Sequence, residues 1–231
     1  MHIEESSILA FLATWPLPTL GVGVLFWALV QRPWLTLRRE ALQHAWLGSL
    51  VFLTLLWSAR ATVGEGVVIQ LMGASLAVTM FGLPLAMVTL AIVDVVSLLG
   101  LAYLSGRGWA QIDWVSLGPR FFWMALVPGA LTAALQAALR RWVPRHPFVF
   151  ILGHGYFSAL VAAVVAGGLR AIWQVRMGVA QGGLGLADSL TGAVIIAFGE
   201  AFLTGMLVAI FVVYRPQWLV TFDEGEYLRG R

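Results

Sequence analysis

Residues 84–104 read PLAMVTLAIVDVVSLLGLAYL, an apolar run that carries one charged residue, Asp94. As a helix it is about 30 Å long, the thickness of a bilayer's hydrocarbon core. No water is present there to satisfy backbone N–H and C=O groups, so such a segment must close its own hydrogen bonds. The same texture recurs along the chain. It predicts an all-α polytopic membrane bundle of about seven transmembrane helices in a single membrane domain over 1–231. The expected spans are about 12–31, 42–59, 66–82, 84–104, 118–139, 148–169 and 190–213. The third is heavily punctuated, by Gly64, Gly66, Gly73, Gly82 and Pro84. A tight hairpin or a partly re-entrant pair with the fourth both fit that punctuation.

Composition agrees with the spans. The 231 residues are 60% hydrophobic and 11% charged, with mean hydropathy +0.89. The runs are continuous rather than alternating, which excludes a strand barrel. Glu4 and Glu5 in the opening residues, with no basic stretch before them, argue against a cleaved leader. The chain has no Cys, so disulfides and thiolate metal sites are excluded. All its positive side chains are Arg, and they form no basic stripe of the kind that binds nucleic acid.

Arginine placement sets the expected orientation. Arg32, Arg38, Arg39, Arg140, Arg141, Arg145, Arg215, Arg229 and Arg231 fall on one side of the predicted spans. Arg60, Arg107, Arg120, Arg170 and Arg176 fall on the other. The excess belongs inside, so the C-terminus is expected in the cytoplasm and the N-terminus outside. Trp34, Trp57, Trp109, Trp114, Trp142 and Trp218 near span ends read as an aromatic belt. Ala130, Ala134 and Ala138, and likewise Ala159, Ala163 and Gly167, form small-residue stripes for close helix contact, internal or with a partner subunit.

An ionisable or strongly polar side chain inside a span has to be explained. Asp94 is either a register-fixing group, protonated or paired with Arg120 or His154, or part of a transport route. Glu200 and Thr204 lie one turn apart on one face of the last helix, where they would pin a neighbouring backbone. Gln70 and His154 are expected to face inward. At the other extreme of the chain, Met1-His2 is a compact chelator. Its α-amine, the amide of residue two and the His2 imidazole supply three nitrogens in a plane, a set that suits Ni(II), Cu(II) or Co(II). No enzyme constellation emerges: there is no HExxH, no GxSxG, and no lysine for a phosphate loop. Gly182, Gly183 and Gly185 read as a flexible loop.

Several segments taken together resemble the CbiM/NikM substrate-binding membrane subunits of energy-coupling-factor cobalt and nickel transporters. These are the opening Met1-His2-Ile3-Glu4, the stretch Gln70-Leu71-Met72-Gly73-Ala74 with Gly82 and Pro84 beyond it, Leu117-Gly118-Pro119-Arg120 with Met124-Ala125, and Glu200-Ala201-Phe202-Leu203-Thr204 with Arg215-Pro216. The resemblance implies a transition-metal ion (Ni, Co or Cu) as transported substrate, with no permanently bound cofactor. It also implies a coupling transmembrane subunit and ABC ATPases as partners, and a place in a bacterial cytoplasmic membrane. By the same resemblance the metal ligands are Met1, His2 and a fourth group, a His in the family, at the position of Gln70. An amide oxygen is a poorer partner for Ni(II) or Co(II) than imidazole. His44 and His154 are the alternatives if the fold brings them near. Two asparagines of the family give way to Arg120 and Trp123. A membrane assembly protein that keeps the fold without the metal is the competing expectation.

Overall fold

The computed structural model describes residues 16–63, 67–106, 111–178 and 185–223, with Gly225 and Tyr227. The chain forms α1 (Pro16–Val30), α2 (Glu40–Ser58), a two-stranded antiparallel hairpin of β1 (Ala61–Val63) and β2 (Val67–Ile69), and then α3 (Ala74–Leu104). Three long helices follow: α4 (Trp114–Trp142), α5 (Pro147–Arg176) and α6 (Leu186–Tyr214). The tail after α6 opens with a 3₁₀ turn, Pro216–Trp218. Helices α2 to α6 are long and apolar enough to cross a membrane, and α1 is a shorter apolar helix.

The path of α3 is decided at Gly82. Its φ of 75° and ψ of 163° belong to a region that only glycine occupies readily, and the helix breaks there into arms 74–81 and 83–104. The kink brings the two arms closer than a straight helix would hold them. In an unbroken helix Val78 and Met87 would be about 13 Å apart along the axis. Yet a methyl group placed on Gly129 of α4 would lie 2.6 Å from Met87 Cε and 3.5 Å from Val78 Cγ2. The expected helix over 66–82 is therefore corrected. Residues 67–69 are a strand, Gln70–Gly73 is non-helical, and the helix begins only at Ala74. Residues 69–82 are apolar almost throughout, so hydropathy alone could not separate strand from helix.

Pro84 explains how the break is finished. Proline has no N–H to return to the carbonyl four residues back. That carbonyl, on Met80, accepts instead from Val220 N of the tail at 2.7 Å, and the Thr221 hydroxyl donates to the Thr79 carbonyl. Pro128 likewise withholds an N–H within α4, and the π-helical stretch Phe122–Leu126 ends two residues before it. A second π stretch, Phe150–Phe157, opens the ladder of α5, where the His154 carbonyl accepts from Ser158 Oγ and from Gln136 Nε2 at 3.1 Å.

Helices α5 and α6 pack through small residues. A Cβ on Gly167 would meet Ala193 Cβ at 2.7 Å, and one on Gly155 would meet Gly205 Cα at 3.4 Å. Ala159 and Ala163 are buried with them. The other stripe points elsewhere, since Ala130 and Ala134 are exposed on the outer face of α4. Large apolar side chains such as Phe26, Leu55 and Phe202 are about two-thirds exposed, as on a surface that meets acyl chains. Trp57 departs from the expected belt. It is fully buried and spends its indole N–H inside the bundle.

Candidate functional site

Gln70 sits where β2 gives way to the start of α3. Its Nε2 donates to the Trp57 carbonyl at 2.6 Å, and the Trp57 indole N–H donates back to the Met72 carbonyl at 2.6 Å. A carbonyl can only accept, so the Gln70 amide nitrogen must face Trp57 and its oxygen faces away. The end of α2 and residues 70–72 are thereby stitched together in both directions. From the other side Glu200 of α6 closes on the same loop. Its carboxyl accepts from the Met72 N–H, and from the Gly73 N–H at 3.0 and 3.1 Å.

Local geometry makes this possible. Gly73 has φ 63°, which turns the amides of Met72 and Gly73 toward one acceptor, and they stand at the N-terminus of arm 74–81. A carboxyl group is the natural partner for unpaired N–H groups and the positive end of a helix. Gly73→Ala would place a methyl group 2.4 Å from Leu53 Cδ2 in a backbone conformation alanine resists. We expect it to lower stability by about 2–3 kcal/mol, read as a downward shift of the unfolding transition in detergent. An unshifted transition would mean that the Gly73 turn is not tightly held.

Across the Trp57 ring lies the second buried charge. The Arg120 guanidinium stands 6.0 Å from the ring centroid, within 3.3 Å of Asp94 Oδ1, and donates from Nη2 to Ser97 Oγ at 3.0 Å. Asp94 is 2% exposed, so it faces the bundle. Its Oδ1 accepts no hydrogen bond among the described residues, which leaves the ion pair as its main support. Gln70, Trp57, Met72, Glu200, Arg120 and Asp94 thus form one connected group drawn from four helices and the 70–73 loop.

The remaining expected residues are placed apart from it. His154 is buried, stacked on Phe150 at 4.9 Å with Tyr227 edge-on at 6.5 Å, and its carbonyl ties it to Gln136 and Ser158. His44 is exposed near the start of α2, with Nδ1 3.1 Å from the Glu40 carbonyl oxygen. Neither joins Gln70. Thr204 is buried beside Glu200, but its hydroxyl meets no partner among the described residues, so Glu200 alone grips the loop. Trp123 turns to Phe122 and Trp173, at 5.0 and 5.6 Å. Met1 and His2 lie outside the described residues, within which no cluster of three His, Cys, Asp or Glu side chains stands ready for a metal.

Sequence reading missed Trp57, Ser97, Thr79 and Gln136. Gln136 carried a signal, as an amide within a predicted span. Ser and Thr in apolar helices carry none, because they bond to their own backbone as readily as to a neighbour.

No curated protein and no solved structure matches the chain. The family described as the cobalt uptake substrate-specific transmembrane region, CbiM, matches residues 2–218. That match spans α1 to α6, and the helices are those of a multi-pass membrane protein. The chain therefore belongs to the CbiM family, a substrate-binding membrane component of cobalt uptake.

Proposed function

We propose that the chain captures a single transition-metal ion of the cobalt or nickel type as transported substrate. The amine of Met1, the amide and imidazole of His2 and the oxygen of Gln70 would be its donors. A coupling transmembrane subunit and ABC ATPases in a bacterial cytoplasmic membrane would supply the energy, since the chain carries no phosphate-binding motif. The posture of Gln70 carries the reading: the resemblance puts it at the family's ligand position, and its nitrogen is committed to Trp57, leaving an oxygen to meet a ligand. Three nitrogens and one neutral oxygen make a softer grip on Ni(II) than four nitrogens, and a less exclusive one.

The test is calorimetric titration of Co(II) and Ni(II) into protein with an untagged N-terminus, its intact mass showing Met1 retained and its amine free. His2→Ala should weaken binding by roughly a hundredfold or more, because it removes the imidazole and breaks both chelate rings into one. Gln70→His should tighten it by roughly tenfold or more by completing a nitrogen set. If wild type and Gln70→His both bind neither ion, metal capture is wrong for this chain. It would then stand as an assembly or interaction component that retains the family fold.

A further inference from the structure

We infer that α6 and its tail hold both ends of the half-helix 74–81, so that the Gln70–Gly73 loop and the opposite end of that arm move as one unit with α6. Every helix end leaves N–H groups at its start and carbonyls at its finish without partners. In a short arm buried on all sides, those groups have to be served by the surroundings. Here both sets are served from one stretch of chain. At the start of the arm, Glu200 takes the Met72 and Gly73 N–H groups. At its finish, Val220 N and the Thr221 hydroxyl take the Met80 and Thr79 carbonyls that Gly82 and Pro84 leave open. The two attachments are about 12 Å apart along the arm and twenty residues apart in α6 and its tail.

The tail is itself anchored. Leu219 and Phe222 are buried against Phe150, Leu85 and Val208, with the Phe222 ring 4.9 Å from that of Phe150. Ser75 and Thr79 bind α4 sideways, through Thr132 Oγ1 at 2.8 Å and Gln136 Nε2 at 2.7 Å, which stiffens the arm between its two clips. Any displacement of α6 along its axis therefore either breaks one clip or carries the arm with it. Glu200 is in this sense a positioning residue for the loop that bears Gln70. The double clip rests on these hydrogen bonds; its use in transport rests on the function proposed above. A partner that engages the tail end would shift the ligand loop without touching it.

Hydrogen exchange of the full-length protein in detergent, without metal, tests the clip. Thr221→Val keeps the shape of the side chain and deletes its donor. It should speed exchange roughly three- to tenfold in peptides over residues 70–78, the range set by one net hydrogen bond, as well as near 79–84. Thr221→Ser restores the hydroxyl and should match wild type. In the reverse direction Glu200→Gln should speed exchange over 218–223. If Thr221→Val alters only 79–84 and the tail, or if Thr221→Ser behaves like Thr221→Val, the coupling is wrong. Because no metal is present, that failure leaves the capture reading standing, and absence of metal binding leaves the clip standing.

Discussion

Glu200→Ala should lower the free energy of unfolding by about 3–5 kcal/mol, and the physical reason lies in what it abandons rather than what it removes. The Met72 and Gly73 N–H groups are buried and have the Glu200 carboxyl as their acceptor. Each orphaned buried donor costs about 1–3 kcal/mol. The space of a carboxymethyl group, from a side chain 1% exposed, would also be left between α6 and the Met72–Gly73 turn. Glu200→Gln preserves the volume and one acceptor oxygen, so it should cost about 1–2 kcal/mol. Denaturant unfolding in mixed micelles, followed by circular dichroism, reads both. A loss below about 1 kcal/mol for the alanine variant would show that the carboxyl does not hold the loop.

Why Glu200 looks like a lone intramembrane carboxylate in sequence, yet a structural grip in the fold, is a matter of range. Its partners are backbone groups more than a hundred residues earlier, and no side-chain identity advertises a backbone donor. A structural role for Glu200 follows from its place one turn from Thr204, but Thr204 has no share in the grip. The helices α2, α4, α5 and α6 were readable because each is a long run of uniform hydropathy ended by polar or proline residues. The third span was not, because Val67–Gly73 is as apolar as the helix that follows. Only Gly73, Gly82 and Pro84 marked the change, and glycine marks a strained backbone without saying where the chain goes next. Trp57 shows the same limit at a single residue. Near a span end it fits an aromatic belt, and only the third dimension reveals that its indole serves Met72 and its ring faces Arg120.

Asp94 carries the other large expectation. Asp94→Ala leaves the Arg120 guanidinium, 16% exposed at its side chain, beside Trp57 without its countercharge. Breaking a buried pair from one side costs about 3–5 kcal/mol. Arg120→Met exposes the converse problem, since Asp94 Oδ1 has no hydrogen bond among the described residues to fall back on, and should cost a similar amount. The double variant Asp94→Leu with Arg120→Met removes both charges and refills the volume. It should return to within about 1–2 kcal/mol of wild type, short of full recovery because the guanidinium's contact with the Trp57 ring is also lost. Additive losses in the double variant would refute the pairing as the reason both residues are buried. The same protein separates the two roles open to Asp94. On the proposed function, if the pair only fixes helix register the stable double variant keeps both metal affinity and transport; if Asp94 lies on the route of the ion, the variant folds and binds normally but transport fails.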